Sequence, residues 1–173
     1  MNDMGQVIAR VLERIRKFRS LYEQNEMAIR DQVVNPILRS LGWDPENPEE
    51  VQPNLSTEDG VPDYTLIKDG KKKLFVEAKK LSIDVEQPEV MRQLAKYSFS
   101  EGTKYGVLTN GAVWMFIRSF EEGTKLAERI VWKADLENEK PADIARKLIT
   151  ITRENVERVE TLVKKVEILN EIC

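Results

Sequence analysis

Between Met4 and Tyr22 the apolar residues Met4, Ile8, Val11, Ile15, Phe18 and Tyr22 recur at alternating steps of four and three. That rhythm draws one stripe along a helical face and predicts a helix over this segment. Arg10, Arg14, Arg16, Lys17 and Arg19 fall on its other faces. A second helix, from about Glu26 to Leu41, aligns Ile29, Val33, Ile37 and Leu41; Pro36 interrupts it and Gly42 ends it. Residues 43–60 carry Pro45, Pro48, Pro53 and Gly60 among acidic residues, without any Lys or Arg. They predict an acidic connection with one short strand near Val51.

Alternation then takes over. Strands are predicted over Val61–Ile67 and Lys73–Lys79, joined by the tight-turn dipeptide Asp69-Gly70. From Glu86 to about Ser100 the pattern is helical, with Val90, Leu94 and Tyr97 in line. Tyr105–Thr109 and Val113–Arg118 flank Asn110-Gly111, a strong hairpin signal, and Arg129–Lys133 reads as a last strand. From about Pro141 to the end the pattern predicts one long helix with proline in its first turn. Helix, helix, strands, helix, strands, helix is the order of a mixed α/β single domain.

Composition narrows the chemistry. At 173 residues, 41% hydrophobic and 33% charged, the chain suits one soluble globular domain. A net charge of −3 gives no global basic field, so any nucleic-acid contact must rely on local patches. There is no histidine, which excludes Ser–His–Asp and Cys–His triads, histidine bases and histidine-ligated metals. The single cysteine, Cys173, excludes disulfide frameworks and zinc ribbons. Catalysis would have to run on carboxylates, lysine, tyrosine or a hard metal held by oxygen. One thiol, with no signal peptide and no long apolar run, predicts a cytoplasmic protein with no membrane partner.

One constellation meets that requirement. On a strand, Glu77 and Lys79 share a face while Val76 and Ala78 share the other. Across the Asp69-Gly70 turn, Asp63 comes near Glu77 on that same face. Carboxylates brought together repel and resist desolvation unless a cation joins them. Without imidazole or thiolate, Mg²⁺ or Mn²⁺ is the natural cation, and the Ala78 carbonyl adds a third hard oxygen. Such a metal polarises a phosphoryl oxygen and activates water, while a fixed lysine orients that water or stabilises the phosphorane. Glu77 and Lys79 alone would more simply make an exposed ion pair, and only the wider pattern separates the two.

Pro62-Asp63 followed by Glu77-Ala78-Lys79 resembles the signature of the PD-(D/E)xK nuclease superfamily. More narrowly, residues 23–118 resemble the N-terminal nuclease domain of type I restriction enzyme R subunits and its standalone relatives. The matching stretches are Asn25-Glu26 through Arg30, Pro36-Ile37-Leu38, Leu41-Gly42-Trp43-Asp44, Asp63-Tyr64, Leu74 through Lys79, Gln93 through Tyr97, and Gly106 through Gly111. The resemblance implies a restriction-endonuclease-like core over 23–135, with an N-terminal helix over 1–22 and the long helix over 138–173. It implies Asp63 and Glu77 as metal ligands, Lys79 as the catalytic lysine, Glu26 as an additional acidic residue, and Gln93 with Tyr97 as a Q-x-x-x-Y motif. Residue by residue, plainer roles stand beside these: Glu26 and Arg30 as a helical ion pair, Tyr97 as core, and Trp43, Trp114 and Trp132 as core aromatics.

The function implied is a divalent-metal-dependent DNA endonuclease. There is no G-x-x-x-x-G-K-[ST] loop, so the ATP-driven motor of R subunits is absent from this sequence, and a separate motor or specificity protein is an expected partner. A non-catalytic nucleic-acid-binding or assembly module, and a nuclease acting on branched DNA or RNA, are the competing classes. Both ends of the chain show narrow apolar seams, Met4 to Tyr22 and Val159-Leu162-Val166-Leu169-Cys173. A single final helix over roughly 30 residues would run about 45 Å and overhang a compact domain. These features predict terminal helices that pair either with each other or, in a homodimer, with a second copy.

Overall fold

In the computed structural model, which describes residues 4–172, six strands form one sheet in chain order. They are β1 (Val51–Pro53), β2 (Tyr64–Lys68), β3 (Lys71–Ala78), β4 (Tyr105–Thr109), β5 (Val113–Arg118) and β6 (Ile130–Asp135). Every neighbouring pair is antiparallel except β3 and β4, which run parallel. Parallel neighbours need a crossover, here made by helix α5 (Pro88–Ser100). The fold is α/β, a mixed central sheet flanked by helices, as the sequence pattern predicts. The turn between β2 and β3 holds Asp69 at φ 54° and Gly70 at φ 74°, the two positive angles of a type I′ hairpin.

Side-chain alternation divides the core in two. Val76, Ala78, Val107, Trp114 and Phe116 face a large layer with α1 (Met4–Lys17), α3 (Glu26–Ile29), α4 (Asn35–Ser40), α6 (Pro141–Leu148) and α7 (Val159–Ile172). Phe75, Leu108, Met115 and Ile117 point the other way, onto Met91, Leu94 and Tyr97 of α5. Trp43, Trp114 and Trp132 are all core residues. No helix among the described residues is long and apolar enough to cross a membrane.

Three segments depart from the periodicity. The helix across 26–41 contains a π-turn over Arg30–Val34, where Asn35 N–H reaches the Arg30 carbonyl. Pro36 has no N–H for the Gln32 carbonyl one turn back, and the Arg14 guanidinium donates to that carbonyl instead, at 2.7 Å. The N-terminal segment breaks at Phe18 (φ −122°) into α1 and α2 (Arg19–Gln24), so Phe18 is 57% exposed. Val7, Ile8, Val11 and Ile15 are buried by the chain's own core, against α4 and α6. Those four positions of the N-terminal stripe are covered from within, while Phe18 is left outside.

The long C-terminal helix is also not continuous. α6 ends at Leu148, short 3₁₀ turns follow over Ile149–Ile151 and Val156–Arg158, and α7 begins at Val159. Ile149-Thr150-Ile151-Thr152 is a β-branched run of weak helix formers. Both threonine hydroxyls donate back to carbonyls three residues earlier. Tertiary bonds then hold the break open: the Trp43 indole donates to the Ile151 carbonyl at 2.9 Å, and Arg153 N–H donates to the Leu41 carbonyl at 2.9 Å. In α7 it is Val163 that is buried. Cys173, the last position of the expected seam, lies outside the described residues.

Candidate functional site

The site sits where β2 begins and β3 ends. Tyr64 pairs with Val76, which puts Asp63, one residue before β2, opposite Glu77. Beyond Tyr64 the ladder stops, and side chains take over its bonds. Asp63 N–H donates to Glu77 Oε1 at 2.8 Å, and Ala78 N–H donates to Asp63 Oδ2 at 2.8 Å. Lys79 N–H donates to the Thr109 carbonyl of β4 at 2.8 Å. Because the peptide is trans, the Ala78 carbonyl points opposite to that N–H, toward the Asp63 side. Two carboxylates and one main-chain oxygen thus share a gap at the end of β3.

Lys79 Nζ stands 3.8 Å from Glu77 Oε2, with the Glu77 side chain 6% exposed. Burial, then the nearby charge of Asp63, push the Glu77 carboxyl up to about 7; the bond from Asp63 N–H and the Lys79 charge oppose the rise. Glu77 is therefore a buried acid short of positive charge.

Glu26 opens α3, whose first turn is capped by the Asn25 side chain accepting from Ala28 N–H. Partial burial and the charge of Asp63 raise its carboxyl, against Lys79, Arg30 and Lys80. Of the two readings of Glu26, the plainer helical pair with Arg30 is not formed; Arg30 makes a longer-range pair instead. Arg30 turns to Asp63, with Nη1 at 3.6 Å from Oδ1 and Nη2 donating to the Asp63 carbonyl at 3.0 Å. Nη1 also reaches Asn54 Oδ1 at 3.3 Å, and the guanidinium lies 4.9 Å from the Tyr64 ring centre. Arg30 itself is buried.

Gln93 and Tyr97 approach from α5. Gln93 is exposed and Tyr97 buried. Burial and the charges of Glu77 and Asp63 raise the Tyr97 phenol, and a hydrogen bond with Gln93 opposes them. The same ring packs on the backbone of Gly60, where a Cβ would lie 2.6 Å from Cε1 at φ +135°. Tyr97 is thus both a core residue and a wall of the site, bracing the loop that delivers Asp63.

Among the described residues, no three carboxylates converge into a cage on their own, so Glu26 does not complete one with Asp63 and Glu77. The donor set still suits a small hard cation, since Mg²⁺ commonly takes one or two carboxylates and keeps several waters. Asp63, Glu77 and the Ala78 carbonyl are the residues able to hold it.

Two residues escape the sequence reading. Arg30 is one. The other is Asn110, at the turn after β4, which is buried rather than exposed. Its Oδ1 accepts from Ala112 and Val113 N–H, and its Nδ2 donates to the Ile83 carbonyl at 2.9 Å, clamping the segment that follows Lys79. The Asn-Gly signal marks the turn without revealing what it holds.

No protein-family model matches the chain, and no curated protein matches it in sequence. A solved structure similar to it is that of the type IIG restriction endonuclease BpuSI, at 15% identity and a TM-score of 0.42. The likeness covers 79% of this chain and spans 16% of that one.

Proposed function

We propose that this chain is a divalent-metal-dependent endonuclease that hydrolyses DNA phosphodiester bonds, with Asp63, Glu77 and the Ala78 carbonyl as ligands to Mg²⁺ or Mn²⁺. The observation that carries the reading is the pair of low-exposure carboxylates interlocked where β2 begins and β3 ends, with an ammonium 3.8 Å from Glu77. A chain gains no stability from a buried acid held near pKa 7 beside another carboxylate. A divalent cation held by both carboxylates would offset their charges. When bound, such a cation polarises a phosphoryl oxygen and lowers the pKa of a coordinated water.

The protein's own groups do the rest. Lys79, fixed by its N–H bond to Thr109 and its contact with Glu77, orients the attacking water or meets charge building on phosphorus. Arg30 and Tyr97 hold the Asp63 loop in place from two sides. Gln93, exposed beside Tyr97, and Glu26 are positioned to contact DNA or an outer water. The choice of DNA rests on the resemblance to restriction-enzyme nuclease domains.

A second reading, a binding or assembly module that keeps the fold without the chemistry, is favoured by one observation: Arg30 already supplies Asp63 with a cation. Calorimetric titration with Mn²⁺ separates the two. The nuclease reading expects saturable binding that Asp63→Asn weakens severalfold, since it deletes a charged ligand. No binding at millimolar Mn²⁺, or equal binding by Asp63→Asn, supports the module.

A further inference from the structure

We propose that a groove between α5 and the segment following β5 docks unpaired nucleotides of single-stranded DNA. The choice of nucleic acid rests on the nuclease reading above. The groove, about 380 Å³, is lined by Phe99, Phe120 and Leu126 together with Arg92, Lys96 and Arg129, and no carboxylate lines it.

Phe99 and Phe120 are 66% and 53% exposed, although their rings meet edge to face with centroids 5.9 Å apart. Two large aromatic faces left in water beside each other form a platform, and the groups around them select its occupant. The Arg129 guanidinium sits 5.5 Å from the Phe120 ring centre, fixed by donating to the Thr124 carbonyl at 3.0 Å and to Thr124 Oγ1 at 3.1 Å. Lys96 is 65% exposed and reaches Asp59 at 3.7 Å, while Arg92 has no ion pair among the described residues. Cations without lining acids complement a phosphodiester backbone, and exposed rings complement the faces of bases, the pairing found in single-strand-binding grooves. A duplex keeps its base faces stacked inside and has no use for the rings.

One contact ties the groove to the loop before β2. Arg92, Lys96 and Phe99 occupy one face of α5 at steps of four and three, each cation one residue before Gln93 or Tyr97. The Lys96–Asp59 contact joins the platform to the loop that carries Asp63.

Fluorescence anisotropy in EDTA, with a labelled oligo-dT and a blunt duplex of equal length, tests the proposal without cleavage. Phe99→Ala/Phe120→Ala should weaken oligo-dT binding at least about tenfold and duplex binding under about twofold. Both rings are exposed, so circular dichroism and thermal midpoint should match the parent. Arg92→Ala/Lys96→Ala should weaken both ligands and flatten the salt dependence. No oligo-dT binding by the parent, unchanged binding by the double phenylalanine variant, or equal loss on the duplex would overturn the proposal. So would a dimeric parent that this variant turns monomeric with oligo-dT affinity intact, since the platform then belongs to a second copy. Plasmid cleavage distinguishes the two readings: oligo-dT binding that depends on the phenylalanines in a chain that cannot cleave fails the nuclease assignment alone. Cleavage with no such dependence fails the docking assignment alone.

Discussion

Replacing Glu77 by glutamine should stabilise the metal-free protein above neutral pH. Glu77 titrates near its ordinary 4.5 in the unfolded chain and near 7 in the folded one. Below pH 4.5 both states hold the proton. Between the two values the folded state holds it and the unfolded state does not, so stability falls as pH rises, and the loss is complete once pH passes 7. At about 1.4 kcal/mol per pH unit the loss by pH 8 is about 3 kcal/mol. The Glu77 side chain is 6% exposed, so solvent screens little of this, and the opposing contact with Lys79 is already contained in the shift. Glutamine keeps an Oε1 to accept from Asp63 N–H and carries no charge. Urea unfolding in EDTA should find the two proteins alike at pH 4.5 and the variant ahead by about 3 kcal/mol at pH 8, a thermal shift of about 6–12 °C. Mn²⁺ at a hundredfold its Kd should return about 3 kcal/mol to the parent alone. A variant no more stable than the parent at pH 8, or a difference that does not change with pH, refutes the reasoning.

Two further changes probe the supports of the site. Arg30→Met leaves Asp63 without its cation and should destabilise the fold by about 3 kcal/mol in chemical denaturation, with Arg30→Lys recovering only part because an ammonium cannot bridge Asp63 and Asn54 as a fork. Gly60→Ala places a methyl 2.6 Å from the Tyr97 ring at φ +135° and should cost about 1–3 kcal/mol; an unchanged thermal midpoint would show that the loop does not rest on Tyr97.

What the sequence makes legible here is what local rules govern. Alternation along 73–79 and the Asp69-Gly70 turn give the hairpin, but the turn's own register would set Asp63 opposite Val76; a bulge between Leu66 and Ile67 shifts the pairing by one residue and brings Asp63 opposite Glu77. The crossover helix and the Asn110 turn follow from equally local signals. Other departures involve distant partners. Arg30 reads as a mate for Glu26 four residues away, yet its carboxylate is Asp63, reached through tertiary packing. The 138–173 segment reads as one helix because its periodicity survives, while Trp43 and Leu41, far back in the chain, capture its backbone at Ile151 and Arg153. The Met4–Tyr22 periodicity shows that a face is buried and not against what; Val7, Ile8, Val11 and Ile15 of that stripe meet α4 and α6.

Metal-dependent hydrolysis at Asp63, Glu77 and Lys79 can be read from supercoiled plasmid. The parent should convert it to nicked and linear forms with Mg²⁺ or Mn²⁺ and leave it intact in EDTA. Lys79→Ala should abolish conversion while keeping the parent's fold and much of its Mn²⁺ binding. Equal cleavage by Lys79→Ala, cleavage that persists in EDTA, or no cleavage by the parent with either metal would contradict the account.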